Sequence, residues 1–136
     1  MKINPYLTFN GQAEEALHFY ADTFGGTVEA VMRFSEISDG TEIPQDKQDR
    51  IAHGRVVCPG GTIMISDDFG DDPISYSGFN MQTDWPTVVA ARAAYDLIAK
   101  DGTVVMPFAE TFWAPGFGIA RDKFGVSWMF NCEKDG

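Results

Sequence analysis

Apolar positions along the chain follow two kinds of pattern. In "QAEEALHFYADTFGG", Ala13, Ala16, Leu17, Tyr20 and Phe24 recur at helical spacing and make one apolar face. Gly25-Gly26 supplies the stop signal for that helix. Before it, "INPYLTFNG" reads as a short strand closing on an Asn-Gly turn. After it, "TVEAVMRFSEI" alternates and is rich in β-forming residues, which predicts a strand. "SDGTEIPQDKQD" is polar and turn-rich and reads as an exposed loop. "RIAHGRVVC" and "TIMISDD" then predict a hairpin joined through Pro59-Gly60-Gly61, and "FGDDPISY" another loop. "SGFNMQTD" predicts a strand. Asp84 at its end can cap a helix that opens at Trp85-Pro86, since proline is tolerated in a first turn. "TVVAARAAYDLIAK" continues that helix to Asp101-Gly102. "TVVMPFAE", "FWAPGFGIARD" and "GVSWMFNCE" predict three closing strands, with Lys123-Phe124-Gly125 around the last turn.

The order is strand, helix, three strands, and then the same again. A trace of the repeat survives in the letters: Gly26-Thr27-Val28 follows the first helix and Gly102-Thr103-Val104 follows the second. Two βαβββ modules, about 1–70 and about 75–136, account for the whole chain, in the α+β class with eight strands and two main helices. Neither module covers its sheet alone, so the two are expected to pack as one domain.

Side chains alternate faces along a strand. Ile51, His53, Arg55 and Val57 therefore share one face of the hairpin, and Ala52, Gly54, Val56 and Cys58 share the other. The second set is small and apolar and suits packing under a helix. The first mixes polar with apolar groups and suits the wall of a cavity. A turn at Gly60-Gly61 would set His53 opposite Asp68 and Arg55 opposite Ser66. His53 then has three readings: a structural group bonded to Asp68 or a backbone carbonyl, a ligand-contacting or acid–base group, or a metal ligand. Arg55 has two: internal pairing or solvation, or a bidentate hold on a ligand carboxylate or phosphate. His18, among polar neighbours on the first helix, reads as a surface residue.

Composition is ordinary for a folded domain, 44% hydrophobic and 22% charged over 136 residues, so disorder is expected only in the last few residues. The formal net charge of −10 changes the picture more. It opposes binding to nucleic acid or an anionic membrane, both of which need a basic footprint. No run approaches the roughly 18 apolar residues of a membrane span. The start "MKINPYLTFNG" lacks a signal-peptide pattern, which makes cytoplasm the expected location. Cys58 and Cys132 are then expected as free thiols, and their spacing matches no zinc finger. "PGFGIARDKFG" is Gly-rich but lacks the strand–loop–helix context and the Gly-Lys-Ser/Thr ending of a phosphate loop. "EISDGTEIPQDKQD" shares only its acidity with a calcium loop.

Three motifs, "PYLTFNGQAEEALHFY", "HGRVVCPGGTIMISD" and "FWAPGFGIARDKFGVSWMF", together with the duplicated βαβββ order, carry a family likeness. The chain resembles the vicinal oxygen chelate superfamily, the group of glyoxalase I, extradiol dioxygenases and bleomycin-resistance proteins. Within it the chain is similar to the PhnB-like proteins, over roughly residues 3 to 133. The resemblance implies a homodimer and a sheet-lined cavity for a small molecule. In the metal-using members four side chains converge on a divalent ion. The corresponding positions here fall at about Pro5, near Met64 to Ser66, at Ser77 or Gly78, and at Met129, where a Glu is usual. Pro, Gly and Met offer no side-chain oxygen or nitrogen to a hard cation, so no metal and no cofactor are expected.

The same likeness gives the last strand a ligand-facing parity at Ser127, Met129 and Asn131, against a core set of Val126, Trp128 and Phe130. By the same carry-over Gly78, Asn80 and Gln82 face the cavity. The candidate ligand-binding residues are thus His53, Arg55, Ser66, Asn80, Gln82, Trp113, Ser127, Met129 and Asn131, a polar wall uncharged apart from Arg55. Phe112 and Trp113 either back the ligand or sit in the core. The residues favour a small-molecule binding protein, or an enzyme with a degenerate site, that works without a stoichiometric metal. The alternatives are a metal-dependent lyase, isomerase or dioxygenase of the glyoxalase kind, and a drug-sequestering dimer for which an acidic protein suits a cationic drug.

Overall fold

The computed structural model describes residues 1–37 and 42–133. The chain divides into two compact units, residues 1–74 and 75–136, each with one helix and one four-stranded sheet.

The first unit runs β1 (Tyr6–Phe9), α1 (Ala13–Phe24), β2 (Thr27–Arg33), β3 (Ile51–Cys58) and β4 (Gly61–Asp67). Its sheet has the order β1-β4-β3-β2, with β1 parallel to β4 and the other pairs antiparallel. The apolar stripe of α1 lies on this sheet, and Ala13, Ala16, Leu17 and Tyr20 are all buried. Leu17 sits over Gly54, which identifies the helix-covered face; Leu7, Phe9, Val56, Ile63 and Ile65 fill it. Gly25 closes α1 in the left-handed region at φ 66°, as the Gly-Gly signal requires. The Asp67 carboxylate is buried against the core and accepts from the backbone N–H groups of Gly11, Ala13 and Ile51. It thus ties the β1–α1 turn and the start of β3 to the end of β4.

The second unit repeats the order with β5 (Met81–Trp85), α2 (Val88–Lys100), β6 (Thr103–Ala109), β7 (Gly116–Arg121) and β8 (Ser127–Cys132). Its sheet has the order β5-β8-β7-β6. Tyr95 on α2 meets Phe108 and, edge-on, Phe130. Val126, Trp128 and Phe130 are fully or almost fully buried, as the alternation in β8 predicts. Gly102 ends the helix where a Cβ would overlap the carbonyl oxygen of Arg121, so only glycine fits there. A second buried carboxylate, Asp122, accepts from the N–H groups of Phe124 and Val126 and from the Trp128 indole.

Four local expectations are corrected. The hairpin turn is Pro59-Gly60, since Cys58 already pairs with Gly61. This moves the register by two residues: Arg55 stands opposite Met64, not Ser66, and His53 is no neighbour of Asp68. Two residues preserve strand parity, so Arg55 and Ser66 still share a face. Ile51 leaves the His53 face for the core, where it is 1% exposed. β2 and β3 break register twice beside it, first past Ala30, the one described non-glycine residue with positive φ, at 55°, and again between Met32 and Arg33, where the partners are His53 and Ile51. Asp84 does not cap α2. β5 continues through Trp85, which pairs with Cys132, and the Thr87 hydroxyl caps the helix by accepting from Ala90 N–H. The strand predicted through Ile37 ends at Arg33 and gives way to a 3-10 turn over Phe34–Glu36. The loop expected over 38–49 is described only from Glu42 onward, where Gln45–Lys47 form a 3-10 turn; its first four residues and the chain's last three lie outside the described residues.

Candidate functional site

Each sheet turns one face to its helix, and the candidate polar residues lie on the other. On the first sheet the register builds two rows. One runs Tyr6, Met64, Arg55, Glu29 across β1, β4, β3 and β2. The next contains Thr8 and Ser66 on β1 and β4, and His53 and Met32 on β3 and β2. His53, Arg55 and Ser66 are all half-buried there.

The His53 partner is Tyr6: the phenolic oxygen lies 3.2 Å from Nδ1, with the two rings 5.8 Å apart. Asp68, the partner named in one of the three readings of His53, accepts with its side chain from Phe69 N–H instead. Nε2 of His53 has no partner among the described residues. Arg55 is in a less usual state. No described residue forms an ion pair or hydrogen bond with its guanidinium, and its Nε is a buried donor without an acceptor. Glu29 stands opposite it in register but makes no ion pair with it. A charged donor held in a half-buried site without a partner costs stability unless another group supplies the acceptor. Cys58, half-buried on the same strand, has its thiol pushed up by burial and is a poor thiolate.

On the second sheet Ser127, Met129 and Asn131 point away from the helix, with Gln82 opposite Met129 and Asp84 opposite Asn131. Asn80 precedes β5, and its Oδ1 accepts from the Ser127 hydroxyl at 2.6 Å. Gln82 Nε2 and Asn131 Nδ2 both donate to Oδ1 of Asp84, at 3.0 and 3.1 Å. This face therefore carries a carboxylate, against the expectation of walls uncharged apart from Arg55. Parity puts Asp84 beside Gln82 already in the sequence, two residues along one strand; its plausibility as a helix cap hides it. Phe117, opposite Asn131 on β7, also belongs to this face, and its ring meets Trp113 at 5.4 Å. Phe112 and Trp113 are not core aromatics: they are 97% and 50% exposed.

The positions that would hold a divalent ion in metal-using relatives do not suit one. Pro5 offers only its carbonyl, which accepts from Met64 N–H. Met129 lies beside Gln82 with a thioether, Ser77 and Gly78 carry no carboxylate or imidazole, and Met64 and Ser66 flank an apolar Ile65. No group of three or more His, Cys, Asp or Glu with metal-binding geometry occurs among the described residues. No described helix is long and apolar enough to cross a membrane.

Comparison with known proteins agrees with this architecture. The model of the Glyoxalase/Bleomycin resistance protein/Dioxygenase superfamily matches residues 2–130. Protein YjdN of Escherichia coli K12 is 37% identical over 142 aligned positions, covering 98% of this chain and 97% of that one. The crystal structure of protein PA1353 from Pseudomonas aeruginosa is 37% identical, with a TM-score of 0.86 and 99% of both chains covered. The PhnB protein from Bacillus cereus is 25% identical with a TM-score of 0.80, covering 97% of this chain and 99% of that one. The duplicated module, the match along nearly the whole chain and these relatives agree: the chain belongs to the glyoxalase/bleomycin-resistance/dioxygenase superfamily and is of its PhnB and YjdN type.

Proposed function

We propose that the chain binds a small organic anion on the helix-free face of its first sheet, with Arg55 as the charge partner and without a metal. The observation that carries this is the Arg55 guanidinium, whose buried Nε has no acceptor among the described residues. A carboxylate or phosphate-type group can accept from Nε and one Nη together, which satisfies the orphaned donor and offsets the charge. Tyr6 orients His53 through Nδ1, which leaves Nε2 for the ligand. Ser66 adds a hydroxyl, and Met64 and Tyr6 back the site with apolar surface. Dimerisation belongs to the same proposal; light scattering on the purified protein tests it, at about twice the 15.0 kDa of one chain.

Calorimetric titration with benzoate and with phenylphosphonate tests the site. Arg55→Met is expected to weaken binding by about 10-fold or more, the loss of a charged hydrogen-bonded partner. Dialysis against a chelator is expected to leave the affinity unchanged. Equal affinity in Arg55→Met, or stoichiometric Ni, Zn, Fe or Mn whose removal abolishes binding, overturns the proposal.

A further inference from the structure

The second sheet carries features that the Arg55 site does not use. Register places Asp84, Asn131 and Phe117 in one row across β5, β8 and β7, on the face away from α2. Both amide donors, from Gln82 and Asn131, go to the same Asp84 oxygen, Oδ1. Oδ2 of this exposed carboxylate accepts from no donor among the described residues. Because a carboxylate only accepts, the bond also fixes the Asn131 amide: nitrogen toward Asp84, oxygen away from it. That oxygen, Asn131 Oδ1, is buried and accepts from no donor among the described residues. At the far end of the row the Phe117 ring meets Trp113, and Trp113 meets Phe112 at 4.8 Å. The turn presenting them is pinned, with Ala114 N–H donating to the Thr111 hydroxyl and Thr111 N–H to the Ala114 carbonyl.

These features share a sign. A carboxylate oxygen left open on Asp84, in the same row as a cluster of aromatic rings, complements a ligand that donates N–H and carries positive charge. The nearest cation on this sheet face, Arg121, lies opposite Ser127, and its Nη1 is held by the carbonyls of Tyr76 and Gly125. We infer that this face binds a small organic cation, a primary ammonium or amidinium on an aromatic or apolar body. Its nitrogen bonds to Asp84 Oδ2, which Gln82 and Asn131 hold in place through Oδ1, and its body lies against Trp113 and Phe117. This reading uses no residue of the Arg55 site and takes the opposite ligand charge, so either can fail while the other stands.

The test is an NMR titration of the 15N-labelled protein with benzylammonium chloride, with benzyl alcohol and benzoate as controls. Benzylammonium is expected to shift the side-chain amides of Gln82 and Asn131 and the Trp113 indole, saturating at about millimolar concentration. Benzyl alcohol and benzoate are expected to act on those signals at least about 10-fold more weakly. Asp84→Asn, isosteric at an exposed position, is expected to weaken benzylammonium binding about 10-fold or more. Trp113→Ala is expected to weaken it about 2–5-fold. Equal binding of benzyl alcohol and benzylammonium, unchanged affinity in Asp84→Asn, or no saturable shift of these signals up to about 50 mM overturns the inference.

Discussion

The two units share an element order and differ on the face their helices leave uncovered. On the covered faces the same solution appears twice: an amphipathic helix on four strands, and a buried aspartate accepting three donors, Asp67 in one unit and Asp122 in the other. On the helix-free faces the two diverge in charge. The first presents an unpaired guanidinium at Arg55, and the second a carboxylate at Asp84 with acceptors to spare. A duplicated module keeps its scaffold because packing tolerates little change. Its uncovered face is free to take on different chemistry, which is why fold and ligand are separate questions here.

The largest effect that tests this comparison lies in the shared scaffold. Asp67→Ala and Asp122→Ala each leave three donors without an acceptor and are expected to cost about 3–5 kcal/mol, read as a lowered denaturation midpoint. A small loss in one unit alone would show that the two aspartates are not equivalent supports. Next comes the uncovered face. Arg55→Met is expected to be neutral or up to about 1 kcal/mol more stable, because it removes an unpaired half-buried charge, while anion binding falls. A stability loss would mean that Arg55 supports the fold. With Asp84→Asn in the same chain, anion and cation affinity are each expected to fall as in the matching single variant, since the substituted residues share no partner.

A smaller effect is expected from His53→Gln, about 2–5-fold on benzoate affinity, with Tyr6→Phe acting in the same direction through the lost ring anchor. The smallest is a matter of pH. Hydrogen bonds from Arg33 and Lys47 hold the carboxyls of Glu14 and Asp71 below their ordinary values. Lowered carboxyl values mean stabilisation above the unfolded-state range, lost as pH falls through the folded values. Glu14→Gln and Asp71→Asn are therefore expected to flatten the acid side of the stability profile and leave it unchanged where both groups are protonated. A steeper acid limb in either variant would contradict the sign.

Much of the molecule is readable from its letters, for identifiable reasons. Helix faces follow from spacing at Ala13, Ala16, Leu17 and Tyr20, and the β8 core follows from alternation at Val126, Trp128 and Phe130. Parity places Ser66 with Arg55 on the helix-free face of the first sheet, and the family likeness assigns that facing to Gln82, Met129 and Asn131 on the second. What is not readable depends on choices between chemically similar signals. Pro59-Gly60 and Gly60-Gly61 are both good turns, and the choice moves Arg55 from Ser66 to Met64. Asp84 and Thr87 are both good caps, and only strand pairing of Trp85 decides between them. The register break between β2 and β3 begins beside an alanine, a residue that does not advertise positive φ, so neither it nor the burial of Ile51 is signalled in the letters.

That break bears on how the protein behaves at high concentration. β2 and β6 end their sheets and expose Val31, Met32, Val104 and Val105, side chains that favour stacking between copies into fibrils. Both strands also break register, β2 beside Ala30 and β6 on either side of Met106, and β6 contains Pro107, which has no N–H to give. A second chain pairing at either edge therefore meets an interrupted run of backbone donors and acceptors, so the shape of the backbone works against edge-to-edge stacking of these apolar margins.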